Sequence, residues 1–360
     1  MNKALPLAAL TALFLAAFSS AARADRFELK IGSGHSKGAA PYVTAISDFF
    51  VVEVMRRVKA ETAHEVAFKE TYGGETVKVQ TVLEGVQEGI IDIGGFCVCF
   101  EPEKLFLHNF PYYEPFGPAK TSEAITAARI VYDQNPWLSE VLVQEYGQRL
   151  LGLGAWDNYH LGTTHEWRRL QQLKGVRIAG VRPNLPWLEY LGATPVQSDL
   201  QEAYEKLKSG FYDGWLMTPA GYNGFKLYDP SPYYTLISFG AMPVNMLTIN
   251  SKTLASLPPE IRSILIEVGR EWEARNGPAM DRSQEIGLQR LRENGARIRQ
   301  LPSETRKEWA LSLSAFALEK AMQAEALKLP GIAVMRAYLE AAEAQGHFWP
   351  VRYEFDEAGG

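Results

Sequence analysis

Gly34-His35-Ser36-Lys37-Gly38 is the stretch of this chain with the plainest claim to reactive chemistry, because G-x-S-x-G is the turn that presents a serine nucleophile in α/β-hydrolases. That architecture needs several strands and an oxyanion loop ahead of the serine. Only about ten residues separate Gly34 from the end of an apolar leader, so a secreted hydrolase using Ser36 is the alternative rather than the main reading. The main reading is a glycine-rich turn at a helix start, with His35 and Ser36 beside backbone N–H groups that suit an anion. A purely structural turn is the plainer account.

Metal and cofactor chemistry finds less support. His64-Glu65 and His165-Glu166 begin like the zinc motif H-E-x-x-H, but Phe68 and Arg169 stand where its second histidine belongs. No dinucleotide or P-loop fingerprint occurs, so no cofactor is implied. Cys97 and Cys99 are the only cysteines. On a strand they would share a face at about 6.6 Å between Cα atoms, near the upper limit for a bridge. Two buried thiols are the expectation and a strained disulfide the alternative.

Recognition chemistry is better represented. Trp156-Asp157-Asn158-Tyr159-His160-Leu161 ends a strand-like run. Trp156, Tyr159 and His160 could orient an anion against a flat apolar wall. Packing at a hinge is the competing account. Trp215 and Met217, in the run from Asp213 to Pro219, and Asn245, at the start of a late strand, complete the aromatic and polar set.

Positioning these residues takes alternating strands and helices. Residues 27–32, 65–72 and 90–100 read as strands, with helical patterns over 42–60 and 76–87 between them. That βαβαβ order implies a parallel sheet with covering helices. A second set follows, with strands near 149–156, 176–180, 215–217, 234–239 and 245–250 and helices over 185–191 and 200–207. From residue 259 the pattern is helical to about 294, with a kink expected at Gly277-Pro278. Helices over 303–327 and 332–344 close the chain. Two α/β lobes crossed by a long helix leave a cleft, and ligands gather there beyond the carboxyl ends of strands. Those ends are residues 33–36, 96–99, 156–160, 180–184 and 215–219.

Bulk properties narrow the compartment and partners. Lys3, the apolar run 4–18 and Ala22-Arg23-Ala24 have the order of a cleavable secretory leader over residues 1–24. The apolar run is shorter than the ~18 residues of a spanning helix. Beyond residue 24 stand 35 basic and 42 acidic residues, a balance of −7. Such a balance argues against a nucleic-acid or anionic-membrane surface.

Several segments, in order, resemble the DctP-type substrate-binding subunits of TRAP (tripartite ATP-independent periplasmic) transporters. They are residues 86–94 (VQEGIIDIG), 173–178 (LKGVRI), 190–196 (YLGATPV), 212–214 (YDG) and 257–260 (LPPE). The resemblance spans essentially the whole chain beyond the leader. It implies a periplasmic two-lobed α/β binding protein that closes on a carboxylate-bearing solute and delivers it to a membrane permease. Lobe I is expected over 25–157 and 268–305, and lobe II over 158–267 and 306–360 with the C-terminal helices. Two positions depart from the family pattern. Ala179 stands where most members carry the arginine that pairs with the substrate carboxylate, and Cys97 replaces the usual glutamate near the end of the third strand. The resemblance therefore implies an organic acid, with the aromatic rims favouring an apolar or aromatic body over a dicarboxylate or sugar acid. Arg182 is expected to take over the pairing. Pro183 would hold it extended at the strand's end, with Arg177 as rival and a solvated loop charge as the alternative.

Overall fold

The computed structural model describes residues 25–355; the expected leader lies outside them. Among the described residues eleven strands form in chain order: β1 (Arg26–Gly32), β2 (Glu65–Thr71), β3 (Ile93–Cys97), β4 (Gln148–Asn158), β5 (His160–Thr163), β6 (Arg177–Gly180), β7 (Thr194–Gln197), β8 (Gly214–Met217), β9 (Tyr233–Leu236), β10 (Ala241–Asn250) and β11 (Arg297–Gln300). They make two sheets, ordered β2-β1-β3-β10-β4 and β11-β9-β5-β8-β6-β7. β1 pairs in parallel with both β2 and β3, as the βαβαβ order predicts. The architecture is the expected mixed α/β arrangement of two lobes, each built on one sheet.

Local differences have local causes. The helix expected over 76–87 is confined to Val82–Gln87. Gly73 and Gly74 turn the chain with φ of 71° and 80°, and the backbone at Lys78 and Val79 is pressed against the turn at Gly34. The helix expected over 303–327 is split into Ser303–Ser312 and Phe316–Ala326, and the break lets Leu313 and Phe316 both turn inward. The long helix runs unbroken from Pro259 to Glu293 with Pro278 inside it. Two sheet memberships also differ from the expected lobe boundaries. β10 lies within the stretch given to lobe II but pairs into the first sheet, and β11 lies within the stretch given to lobe I but pairs into the second. The chain recrosses between lobes before β10, and the long helix carries it back.

The two crossings run side by side as a short antiparallel ribbon. Tyr159 N donates to Gly240 O at 3.0 Å, Phe239 N to Tyr159 O at 3.1 Å, and Gly240 N to Asn158 Oδ1 at 2.9 Å. Ser238 sits there in the left-handed region at φ 64°. It is held by Asn158 Nδ2 donating to its hydroxyl at 2.6 Å and by its own N–H donating to His160 Nδ1 at 3.0 Å.

β4 is an edge strand, so the N–H groups on its outer side have no neighbouring strand. Side chains of the long helix take their place. Leu153 N donates to Glu273 at 2.8 Å, Ala155 N to Asn276 at 3.1 Å and Asn158 N to Gln284 at 3.1 Å. Glu273 also receives two hydrogen bonds from Arg129, whose Nε lies at 2.7 Å. Among the described residues no helix is long and apolar enough to cross a membrane.

Candidate ligand-binding site

A narrow cavity lies where the two sheets face each other beside the crossing ribbon. His35, Cys99, Phe100 and Trp156 form one wall. Tyr159, Val181, Asn184, Leu200, Trp215, Leu216 and Met217 form the other. The space open to the centres of water molecules is about 20 Å³, so the lobes are drawn nearly shut. No charged side chain lines it. His35 Nδ1 lies 2.9 Å from Tyr42 Oη, and burial pushes its pKa down to about 4, so the ring is neutral at pH 7. Trp156 meets the His35 ring edge-on at 5.8 Å between centroids. Tyr159 Oη lies 3.1 Å from Tyr112 Oη.

A more open groove of about 290 Å³ adjoins this cavity and shares Cys99, Phe100 and Val181 with it. Its lining is polar and charged, including Glu101, Glu103, Lys104, Arg182 and Asp199. Arg182 pairs across the groove with Glu103 at 2.8 Å, while Lys104 is held by Glu84 and Glu101. Gln80 reaches Asp199 at 3.2 Å.

The structure thus gathers His35, Trp156, Tyr159, Trp215 and Met217 around the inner cavity and puts Arg182 in the outer groove. Arg182 is not extended, however. Val181 is the extended residue, at ψ 152°, and Arg182–Asn184 is a 3-10 turn closed by Asn184 N donating to Val181 O. Ser36 lies exposed, outside both chambers, and the neighbouring His35 is committed to Tyr42. His160 is not at the cavity either. It is spent on the crossing ribbon, where it accepts from Ser238. Asn245 is buried on β10 between Cys97 and Gly154, and neither of its amide atoms has a hydrogen-bond partner within the protein.

Cys97 and Cys99 form a disulfide rather than two thiols. The expected separation assumed an extended strand. β3 ends at Cys97 and a 3-10 turn, Val98–Phe100, follows, which brings the Cα atoms to 5.1 Å. Cys99 of this pair lines both chambers. Cys99, Phe100, Val181, Asn184, Leu200 and Leu216 are wall residues outside the sequence-based candidates, and among these six Asn184, in the strand-end stretch 180–184, is the one with a side-chain amide. It is fully buried, neither Oδ1 nor Nδ2 has a partner within the protein, and it lies against Gly180, where a Cβ would come within 2.4 Å of Oδ1.

Asp157, next to Trp156, carries a testable pH signature. Burial pushes its carboxyl up to about 7 despite hydrogen bonds from Thr218 and the Ala220 amide. The unfolded value is near 3.8, so between about pH 4 and 7 the native chain keeps a proton that the unfolded chain has released, and stability falls as pH rises. Buried His35, His108 and His160 act in the opposite sense. Burial lowers them from 6.5 to about 4, 4 and 3, so their contribution is present above pH 6.5 and lost as pH falls. Asp157 is therefore read by difference. Asp157→Asn should exceed the wild type at pH 7.5 by on the order of a few kcal/mol, with the advantage gone by pH 4. Urea titrations across that range check it, and a difference that stays flat with pH would show an ordinary ionised carboxylate.

The family described as bacterial extracellular solute-binding protein, family 7 (DctP), matches residues 48–321. The chain belongs to this family of TRAP solute-binding proteins. A curated relative, a solute-binding protein of Sulfitobacter sp. (strain NAS-14.1), is 22% identical over 160 residues, 44% of this chain. The chain spans about half, 48%, of that relative's length. Solved DctP-like folds agree over most of their length. A TRAP periplasmic solute-binding protein of Desulfovibrio salexigens superposes at a TM-score of 0.74 with 19% identity, covering 88% of this chain and 96% of that one. A TRAP solute-binding protein of Rhodoferax ferrireducens, in complex with benzoate, gives 0.76 with 15% identity, covering 89% and 98%. An extracytoplasmic solute receptor of Bordetella pertussis that binds pyroglutamic acid gives 0.72 with 20% identity, covering 86% and 99%. At these identities the likeness carries the fold and not the ligand.

Proposed function

We propose that this chain is the exported, periplasmic receptor of a TRAP transporter, cleaved after Ala24, which captures a small organic acid and hands it to membrane permease subunits. The ligand's flat apolar body occupies the inner cavity and its carboxylate lies in the outer groove at Arg182. The observation that carries this reading is the joining of a charge-free aromatic cavity to a groove that contains Arg182. A carboxylate held unpaired in the inner cavity would suffer a desolvation cost of several kcal/mol, so it must face the groove. Glu103, the present partner of Arg182, is 84% exposed and can be exchanged for a ligand carboxylate at little cost. The benzoate complex of the Rhodoferax protein supports an aromatic monocarboxylate, and the uronate complexes of other relatives give the contrasting class.

Because the cavity is nearly shut, entry requires the lobes to open on the crossing ribbon and close again over the ligand. Thermal shifts with benzoate, pyroglutamate and D-glucuronate test the reading. A ligand at ~100 times its dissociation constant adds about 2.7 kcal/mol of stability. Benzoate-like acids should shift the melt and glucuronate should not, and Arg182→Ala should weaken the binding by about 1.5–3 kcal/mol, as for a charged hydrogen bond. A flat response to all three acids overturns the proposal.

A further inference from the structure

Asn184 has no role in the fold that accounts for its burial. A buried donor or acceptor left without a partner keeps its full desolvation penalty, and the side chain carries both a donor and an acceptor group. Apolar side chains of similar size would fill the same wall without that cost. Gly180, having no Cβ, leaves room for the amide oxygen at the carboxyl end of β6, and Asn184 lines the cavity together with His35 and Trp156. The charged groups nearby do not reach this wall, since Arg182 and Lys104 line the outer groove and are engaged with Glu103, Glu84 and Glu101.

We propose that Asn184 recognises the inner end of the ligand, and that this end offers a hydrogen-bond donor beside an acceptor, as a primary amide or a lactam does. The inference rests on the organic-acid reading and adds the far end of the molecule to it. Nδ2 donates to the ligand acceptor while Oδ1 accepts from the ligand donor, in the paired geometry of an amide dimer. Turning the amide over exchanges the two atoms and still leaves one donor and one acceptor. A carboxylate in this place would satisfy Nδ2 but set its lone pairs against Oδ1, in a cavity with no cation to compensate. The ligand is therefore bifunctional, with a carboxylate in the groove, a flat body between the aromatic walls, and an uncharged amide-like end at Asn184.

Calorimetry on the full chain with benzoate and 4-carbamoylbenzoate tests this, repeated on Asn184→Leu and Asn184→Asp. The wild type should prefer 4-carbamoylbenzoate by about tenfold to a hundredfold, the factor set by two neutral hydrogen bonds. Asn184→Leu should still bind benzoate but lose the preference, and without ligand it should melt at or above the wild-type temperature. A residue that served only the fold would instead lower the melt and leave the preference intact. No preference in the wild type, or one that survives in both variants, overturns the inference and leaves the organic-acid reading standing. Failure of the wild type to bind either compound overturns both.

Discussion

Glu273→Ala should destabilise the protein by about 3–5 kcal/mol, the range for removing one partner of a buried ion pair. The Glu273 carboxylate is only 8% exposed; it takes two hydrogen bonds from Arg129 and a third from the Leu153 N–H at 2.8 Å. Its loss leaves a guanidinium that is 17% exposed with only the solvent-facing Asp133, at 3.6 Å, as an ion-pair partner, and a strand N–H that faces away from water without its acceptor. Glu273→Gln keeps the shape and an acceptor for Leu153, so it should retain a sizeable part of the stability. Urea unfolding of the two variants separates the charge from the hydrogen bond. A loss below ~1 kcal/mol for Glu273→Ala would show that Arg129 recovers its energy elsewhere, as exposed pairs do.

Gly34→Ala should damage both stability and binding. A Cβ at Gly34 would lie 2.2 Å from Val79 N, 2.4 Å from Val79 Cα and 2.6 Å from Lys78 C, all backbone atoms. The turn cannot drift away freely, because Ser33 N donates to Thr71 O at 3.1 Å and Gly73 N donates to His35 O at 2.9 Å. Overpacking of this kind costs about 1–3 kcal/mol and more where backbone must move. His35 moves with the turn, so on the proposed function an acid that binds the wild type should bind at least about tenfold more weakly, a change of ~1.4 kcal/mol. Ser36→Ala, two residues on but exposed, should leave both properties at wild-type values. Melting curves with calorimetry check the pair, and a Gly34→Ala protein that behaves as wild type would show that the turn shifts without cost.

Strand and helix order was readable because the apolar period changes sharply between segments such as 27–32 and 42–60. The inner wall was readable in part for the same reason, since Trp156, Tyr159, Trp215 and Met217 sit at strand ends. Other features depend on contacts between distant residues. The stretch 76–81 has a helical pattern, yet its backbone is set by the Gly34 turn more than forty residues earlier. His160 has the right chemistry and position for a ligand, but Ser238 reaches its Nδ1 from 78 residues away. The disulfide depended on where β3 stops, a matter of one or two residues. Asn184 showed no signal of its own, because an asparagine after proline reads equally well as turn chemistry. Asn245 shares its burial without partners, and it is the place of Asn184 on the cavity wall that sets it apart.

The helix side chains along β4 do more than hold two layers together. An edge strand of 11 residues with unpaired N–H groups is a template onto which another copy of the same strand can add. Glu273, Asn276 and Gln284 occupy those groups and so deny the edge to other chains. When heat lifts the long helix, the strand and its leucines at 150, 151 and 153 become available before the rest of the sheet has come apart. Thermal unfolding should then end in self-association rather than in a refoldable chain. Glu273→Ala should precipitate at a lower temperature than its loss of stability alone would give.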